Sequence, residues 1–446
     1  MTSNRCPISV PGRTAADRPL RRRTAALVAV LLLAAVPGCA LQMADETASL
    51  PPAAAPASAA TLVSLPVPPT PMLPPPPSDA LPLDEAVERA AAELFASLPA
   101  EYRPGASPQR VVIDPLVDGA TGAQTASTRT MEQRLATYIR EEQPDYELQP
   151  LNTATLGRSP LVLVGSLRGA GSAGLAPGVP QAYRIWFSLA DLRTGIVVGH
   201  GMAWAQAGEV DTAPTEFFRD SPAWLVDSSI QGYLRTCLSR VGEPVAPDYL
   251  EGILTSALVA DAIQAYEEDR HAEALDLFQA AERTSAGNQL RVHNGLYLAN
   301  WQLGREGDAE GAFSQLVDFG LRHDRMALMM LFRPASTAYW PDPQVSGPYG
   351  MWLRQIARRV GPSGKCVELV GHTSPTGPIA LNDQLSLARA EKVWVDIARE
   401  SAAGGERITT RGLGSSEPIV GSGRDDASDM LDRRVEFRPT ACQSDA

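Results

Sequence analysis

The 446 residues include five histidines and five cysteines, and neither set is arranged for chemistry. His200, His271, His293, His323 and His372 show no metal-ligand spacing and no pairing with a nucleophile, and the cysteines form no C-x-x-C. A G-x-S-x-G elbow, an H-E-x-x-H helix and a phosphate-binding glycine loop are also lacking. These absences argue against catalysis, so no enzymatic activity, metal or other cofactor is expected. Positive charge is short as well. Lys and Arg total 39 against 51 Asp and Glu, a formal net charge of −12 that argues against nucleic acid as a partner. The apolar run near the N-terminus, AALVAVLLLAAV, is too short to span a bilayer comfortably as a mature helix.

That run follows Arg21, Arg22 and Arg23 and ends at Val36-Pro37-Gly38-Cys39, the layout of an export signal. Small residues before a cysteine resemble the bacterial lipobox. The resemblance implies a signal over residues 1–38, acylation of Cys39 and, with Ala40 rather than Asp following, sorting to the outer membrane. The acyl chains would then be a stable anchor on a periplasm-facing protein. Losing six Arg and one Asp takes the formal charge from −12 to about −17. Cys237, Cys366 and Cys442 remain, in a compartment that permits one disulfide and an odd thiol. Many of the 38 prolines fall in residues 39–82, which lack periodicity. Polyproline II at about 3.1 Å per residue makes this stretch a spacer with a reach of up to about 120 Å.

Apolar and charged content of 44% and 20% are ordinary, and the length suits about two to four domains. The expected architecture is α/β and α+β multidomain. Residues 83–245 open with Ala86, Ala90, Leu94 and Leu98 at helical spacing. A buried strand over 110–119, a helix over 128–143, a second strand over 159–169 and a hairpin turning at Arg193-Thr194-Gly195 follow. In outline this small α/β domain resembles that of the penicillin-binding-protein activators and the curli-secretion lipoprotein. Asp114, Asp118 and the cluster Thr125, Ser127 and Thr128 form either a polar site or ordinary turn chemistry, the second being the simpler reading.

Residues 249–321 are helical and repetitive. Ala274, Phe278 and Ala281 are echoed 35 residues later by Ala309, Phe313 and Leu316, with Gly304 opening the second copy's turn. The pattern resembles tetratricopeptide helix pairs. Two units are fewer than a free-standing solenoid needs, so they should pack against a neighbour.

Residues 325–446 read as strand (Met326 to Phe332), helix, strand (366–373), helix (384–401), strand and, after a loop, strand. On the second helix Leu387, Ala390, Trp394 and Ile397 lie at core spacing, leaving Arg389 to face the turn from His372 to Gly377. If the second and fourth strands lie side by side and antiparallel, Cys366 and Cys442 pair and Cys237 stays free.

The stretches GHTSPTG, Asn382-x-x-Leu385-Ser386-x-x-Arg389-Ala390, Gly412-Leu413-Gly414 and Asp432-Arg433-Arg434-Val435 closely resemble the OmpA-like domain. The resemblance implies non-covalent binding of peptidoglycan through the diamino acid of its stem peptide. Thr373, Asn382, Arg389 and Arg433 fall at the family's binding positions. Ser374 replaces the acid that would meet the ammonium, and Asp432 replaces an Asn. Without that acid the counter-charge must come from Asp383 or Asp432. The function expected is thus a lipoprotein tethering outer membrane to peptidoglycan. The alternative is an envelope assembly or regulatory adaptor whose α/β and helical parts contact an envelope protein partner.

Overall fold

The computed structural model describes residues 80–442 apart from 104–107, 171–179, 225, 324–325, 327, 402–404, 422 and 424–427. The expected signal, Cys39 with Ala40, and the spacer up to residue 79 lie outside the described residues, all of which belong to one compact unit.

The stretch 110–119 is not one strand. Pro115 has no N–H to donate, and the chain divides into β1 (Gln109–Ile113) and β2 (Val117–Asp118). β1 pairs in parallel with β3 (Tyr146–Leu148) and β4 (Leu161–Ala170), and β2 pairs with β4 farther along. β4, β5 (Ala182–Asp191) and β6 (Ile196–Gln206) are antiparallel, which gives the order β3-β1-β4-β5-β6. The hairpin turns where expected, with Gly195 at φ +69° and the Asp191 carboxylate accepting from the Arg193 N–H at 2.8 Å.

Helices α1 (Leu83–Ala96) and α2 (Ala126–Glu142) cover one face, where Ala90, Leu94, Met131 and Leu135 meet Leu163 and Phe187. The approach is close: a Cβ at Gly201 of β6 would lie 1.9 Å from the Ala90 carbonyl. The polar cluster is structural. Thr125 and Thr128 form the capping box that starts α2, Ser127 accepts from the Asp211 N–H, and Asp118 caps its own turn through Thr121. The short α3 (Thr153–Leu156) and α4 (Glu216–Asp220) precede α5 (Ser228–Leu238), which packs on the second face together with α6 (Pro247–Glu267). There Tyr249 donates to the buried Asp114 carboxylate at 2.6 Å and ties α6 to the sheet. Burial pushes the Asp114 carboxyl up to about 6, against the Tyr249 hydrogen bond that lowers it.

α6 is followed by α7 (His271–Glu282), α8 (Leu290–Gln302) and α9 (Glu306–Arg322). The 35-residue repeat is visible in the backbone. Asp269 (φ +58°) and Gly304 (φ +68°) occupy equivalent left-handed positions before α7 and α9. The next N–H in each copy, Arg270 and Arg305, reaches the Ala265 and Asn300 carbonyls. Phe278 fills the space that Gly295 leaves on α8. Phe313 stacks instead on Trp352 of the following segment, 5.3 Å between ring centroids and 6° from parallel.

That segment comprises β7 (Met329–Leu331), α10 (Pro343–Ser346), α11 (Tyr349–Val360), β8 (Cys366–Gly371), α12 (Ile379–Glu400), β9 (Ile408–Gly412) and β10 (Arg434–Thr440). The sheet order is β7-β10-β8-β9, with β10 antiparallel to both neighbours and β8 parallel to β9. Cys366 pairs in register with Thr440, so Cys442 falls beside it and the Cys366–Cys442 disulfide forms. Cys237 is the buried free thiol, and burial pushes its pKa well up. One hydrophobic core runs from Phe217 through the four helices to Phe437, so no gap divides helical segment from C-terminal sheet.

Two further expectations fail in detail. The strand expected over Met326 to Phe332 is confined to Met329–Leu331, because Leu328 bridges to Ala223 and Phe332 to Tyr339. On α12, Leu387 and Trp394 are 37% and 38% exposed, and the line against the core is Ala390, Val393 and Ile397. Asn382, Ser386 and Arg389, polar residues that apolar periodicity cannot see, share the buried face.

Candidate functional site

The chain leaves β8 at Gly371 and turns through His372 to Gly377 before entering α12. A Cβ at Gly371 would lie 1.8 Å from the Ser386 carbonyl, so a glycine is required for α12 to lie directly over the end of the strand. Ser386 completes the junction. Its hydroxyl donates to the Asp383 carbonyl at 2.8 Å and accepts from the Gly414 N–H at 3.0 Å, while Thr373 N–H donates to the Gly414 carbonyl at 2.8 Å. The motif stretches after β8, along α12 and after β9 are thereby drawn to one edge.

Arg389 is fully buried beneath them. Its Nη1 donates to His372 O at 2.9 Å, as the expected facing of the turn requires. Nε and Nη2 donate to Ser336 O at 3.0 Å and Arg333 O at 2.9 Å. One guanidinium therefore locks the loop after β7 to the turn after β8, and its carbon lies 5.3 Å from the Phe332 ring centroid. Asn382 donates from Nδ2 to Thr376 O at 3.0 Å and to Ser374 O at 3.5 Å, holding the turn closed. Ser374 Oγ meets Thr376 Oγ1 at 3.2 Å. Thr373 Oγ1 is buried and has no hydrogen-bond partner among the described residues. Arg433, also buried, lies 5.6 Å over the Trp340 ring, and its carbonyl accepts from Phe332 N–H at 2.9 Å.

All five candidate residues, Thr373, Ser374, Asn382, Arg389 and Arg433, thus surround one end of the sheet. Asp432 does not join them. Its carboxylate accepts from the backbone N–H groups of Ile419, Val420 and Gly421 at 2.6, 2.9 and 2.8 Å, so it is committed to the loop before β10 and supplies no counter-charge at Ser374. Burial raises its pKa, opposed by those amides. The Asp383 carboxylate faces Gly414, where an added Cβ would lie 2.4 Å from its Oδ1.

His372 does more than form a turn. It is buried beside Glu436, with Nε2 3.8 Å from Oε2, and neither ring nitrogen has a hydrogen-bond partner among the described residues. Burial and the nearby Arg434 hold its pKa below the usual histidine value. Burial alone would raise the Glu436 carboxyl, but Arg434, whose Nε donates to it at 2.6 Å, pulls it well below the usual carboxylate range. Phe332, Trp340 and the Arg434–Glu436 pair escaped the sequence reading. Trp340 lies in a proline-punctuated stretch with no periodicity, Phe332 reads as the last residue of an ordinary core strand, and nothing marks a charged strand residue as buried.

No family model matches the chain. Among curated proteins it is 39% identical over 70 residues to outer membrane porin F of Pseudomonas fluorescens, a match that spans 16% of this chain and 21% of that protein. Among solved structures it is similar to the peptidoglycan-associated lipoprotein from Burkholderia pseudomallei, at 22% identity over 25% of this chain and 89% of that one, with a TM-score of 0.22. The C-terminal domain of Helicobacter pylori MotB matches at 20% identity over 26% of this chain and 84% of that one, with a TM-score of 0.22. An outer membrane protein from Borrelia burgdorferi B31 matches at 18% identity over 25% and 84%, with a TM-score of 0.19.

Proposed function

We propose that the chain is an outer-membrane lipoprotein, anchored through acylated Cys39 and facing the periplasm, whose C-terminal domain is OmpA-like and holds peptidoglycan non-covalently. On this reading it is a binding protein and not an enzyme, needs no cofactor, and takes the diamino acid of a stem peptide as its ligand. The observation that carries the reading is the convergence of Thr373, Ser374, Asn382, Arg389 and Arg433 at one sheet end, with the buried Thr373 hydroxyl lacking a partner among the described residues. A buried polar group without a partner costs about 1–3 kcal/mol, which a ligand hydrogen bond would recover.

In this role Arg389 is first a positioning residue. Its Nε, Nη1 and Nη2 each donate to a backbone carbonyl, so it acts on a ligand carboxylate chiefly through its charge. Ser374 and Thr376 offer the ligand's ammonium only neutral acceptors. The helical segment is read as a tetratricopeptide-like spacer, supported by the matched turns at Asp269 and Gly304.

Co-sedimentation of the full-length protein with purified sacculi tests the reading. Retention, competed by the free diamino acid, is expected. Ser374→Asp restores the missing charge and should tighten binding by roughly ten- to a hundredfold, the equivalent of about 1.5–3 kcal/mol. Absence of retention in both proteins would refute the wall-binding role.

A further inference from the structure

We propose a second binding site, on the sheet of the α/β domain, where Arg168 and Arg184 together take the phosphate group of a small organic ligand. The flat apolar part of that ligand lies against Trp186. Arg168 of β4 and Arg184 of β5 are direct partners in the antiparallel register, and the same row continues to Trp204 of β6. Residues placed opposite each other in this way hold their Cβ atoms about 4.5–5.5 Å apart on one face. Trp186, two residues along β5, shares that face, and the Arg184 guanidinium carbon lies 4.9 Å from its ring centroid.

Packing does not explain the pair. Like charges directly opposite on neighbouring strands are destabilising, and β4 and β5 are interior strands of the sheet. Arg184 is partly buried, and burial together with the charge of Arg168 lowers its pKa from the ordinary arginine value. Neither guanidinium forms an ion pair or a hydrogen bond among the described residues. Asp118 is the carboxyl that feels the charge of Arg168. It is buried, and its Oδ1 accepts from the N–H groups of Ala120 and Thr121 and from the Thr121 hydroxyl. Counted in full, it offsets only one of the two cations. Arg184 thus has the face of its guanidinium on Trp186 and its N–H edge without a protein acceptor, the arrangement in which arginine grips an oxyanion.

The geometry selects a phosphate over a carboxylate. A carboxylate carries one charge and two oxygens, which suit one guanidinium fork, whereas a phosphate monoester carries up to two charges and three terminal oxygens, enough for both. The surroundings favour a small ligand over a flat bilayer. α5 covers the same face at Ser188, whose hydroxyl donates to the Cys237 carbonyl at 2.7 Å. Ser188 is four residues from Arg184, roughly 13 Å along the strand. The turn after β2 flanks Arg168, where a Cβ at Gly119 would lie 3.3 Å from the arginine Cβ. A bilayer would have to clear both the helix and the turn. The site uses no residue of the C-terminal domain, so the inference stands whether or not that domain binds the wall.

The test is calorimetric titration of the full-length protein with phenyl phosphate at low salt. Inorganic phosphate, benzoate and phosphatidic acid vesicles serve as comparison probes. Phenyl phosphate should bind more tightly than inorganic phosphate, through its ring on Trp186, and more tightly than benzoate, and added salt should weaken it. Arg168→Glu, which sets an opposite charge across from Arg184, should abolish binding without lowering the thermal midpoint of the unliganded protein. Arg168→Gln should weaken binding by about tenfold or more, which keeps the test valid if the reversal does not fold. Equal phenyl phosphate affinity in wild type and Arg168→Gln would overturn the proposal, as would no binding of phenyl phosphate at all. So would benzoate binding as tightly as phenyl phosphate, which indicates a simple anion site, or binding of vesicles without binding of phenyl phosphate.

Discussion

Asp114 is a carboxyl whose role is reversed by its surroundings. In a turn it would be ordinary, but α6 covers it and burial pushes its pKa from 3.8 up to about 6. A carboxyl raised on folding contributes stability below its unfolded pKa and loses it as pH rises through the folded value. From pH 4 to pH 7 the wild type should therefore lose up to about 3 kcal/mol through this group. Asp114→Asn keeps an oxygen for the Tyr249 hydroxyl and cannot ionise. Urea denaturation of both proteins at pH 4.5 and 7.5 should show the variant gaining on wild type at the higher pH. An equal difference at both values would mean that Asp114 does not titrate in the folded protein.

Asp432 is buried just before β10, and its surroundings commit it to the backbone. Its carboxylate satisfies three backbone N–H groups of the loop before β10. Asp432→Ala leaves those donors without an acceptor, at about 1–3 kcal/mol each where water cannot reach them, so a loss of about 3 kcal/mol or more is expected. Asp432→Asn retains one accepting oxygen and should lose less. Thermal or urea denaturation ranks the three proteins, and an alanine variant as stable as the asparagine one would contradict the capping role.

At the scale of elements, the helical repeat makes its own prediction. Gly304 and Asp269 hold the same left-handed position 35 residues apart, one with a residue suited to it and one without. A side chain with a Cβ costs about 1–2 kcal/mol in that conformation, somewhat less for Asp. Gly304→Ala should destabilise by about 1 kcal/mol, and Asp269→Gly should be neutral or mildly stabilising, because relief of strain offsets the added freedom of the unfolded chain. Substitutions of the two that shift the denaturation midpoint in the same direction would show that the turns are not equivalent.

At the scale of the whole molecule, the core that joins the helices to the C-terminal sheet makes the two parts one folding unit. Trp352 is its hinge of contact: it stacks on Phe313 and donates from Nε1 to the Tyr297 hydroxyl at 2.9 Å. Trp352→Ala should cost about 3–5 kcal/mol and lower the stability of both parts together. Hydrogen exchange read separately in α8 and in β8 checks this. Loss of protection confined to β8 would mean that the helical segment stands alone.

The sequence alone determined what local chemistry controls. The β5–β6 turn needed Gly195, the alternation of strand and helix in the last 120 residues set the order of the elements, and the motif stretches around His372, on α12 and before β10 picked out the residues that gather at one sheet end. These features depend on a few neighbouring residues, so the chain states them directly. Tertiary structure decided everything that depends on distant partners. It divided the strand at Pro115, made β3 from three residues too few to show a period, and buried Arg389 under three carbonyls from two separate loops. It turned Asp432 inward to its loop, and it chose Trp352 as the residue on which Phe313 packs the helical segment against its neighbour. In each case the deciding energy is a desolvation, a packing contact or a hydrogen bond between residues far apart in the chain, and no local pattern encodes which distant group will arrive.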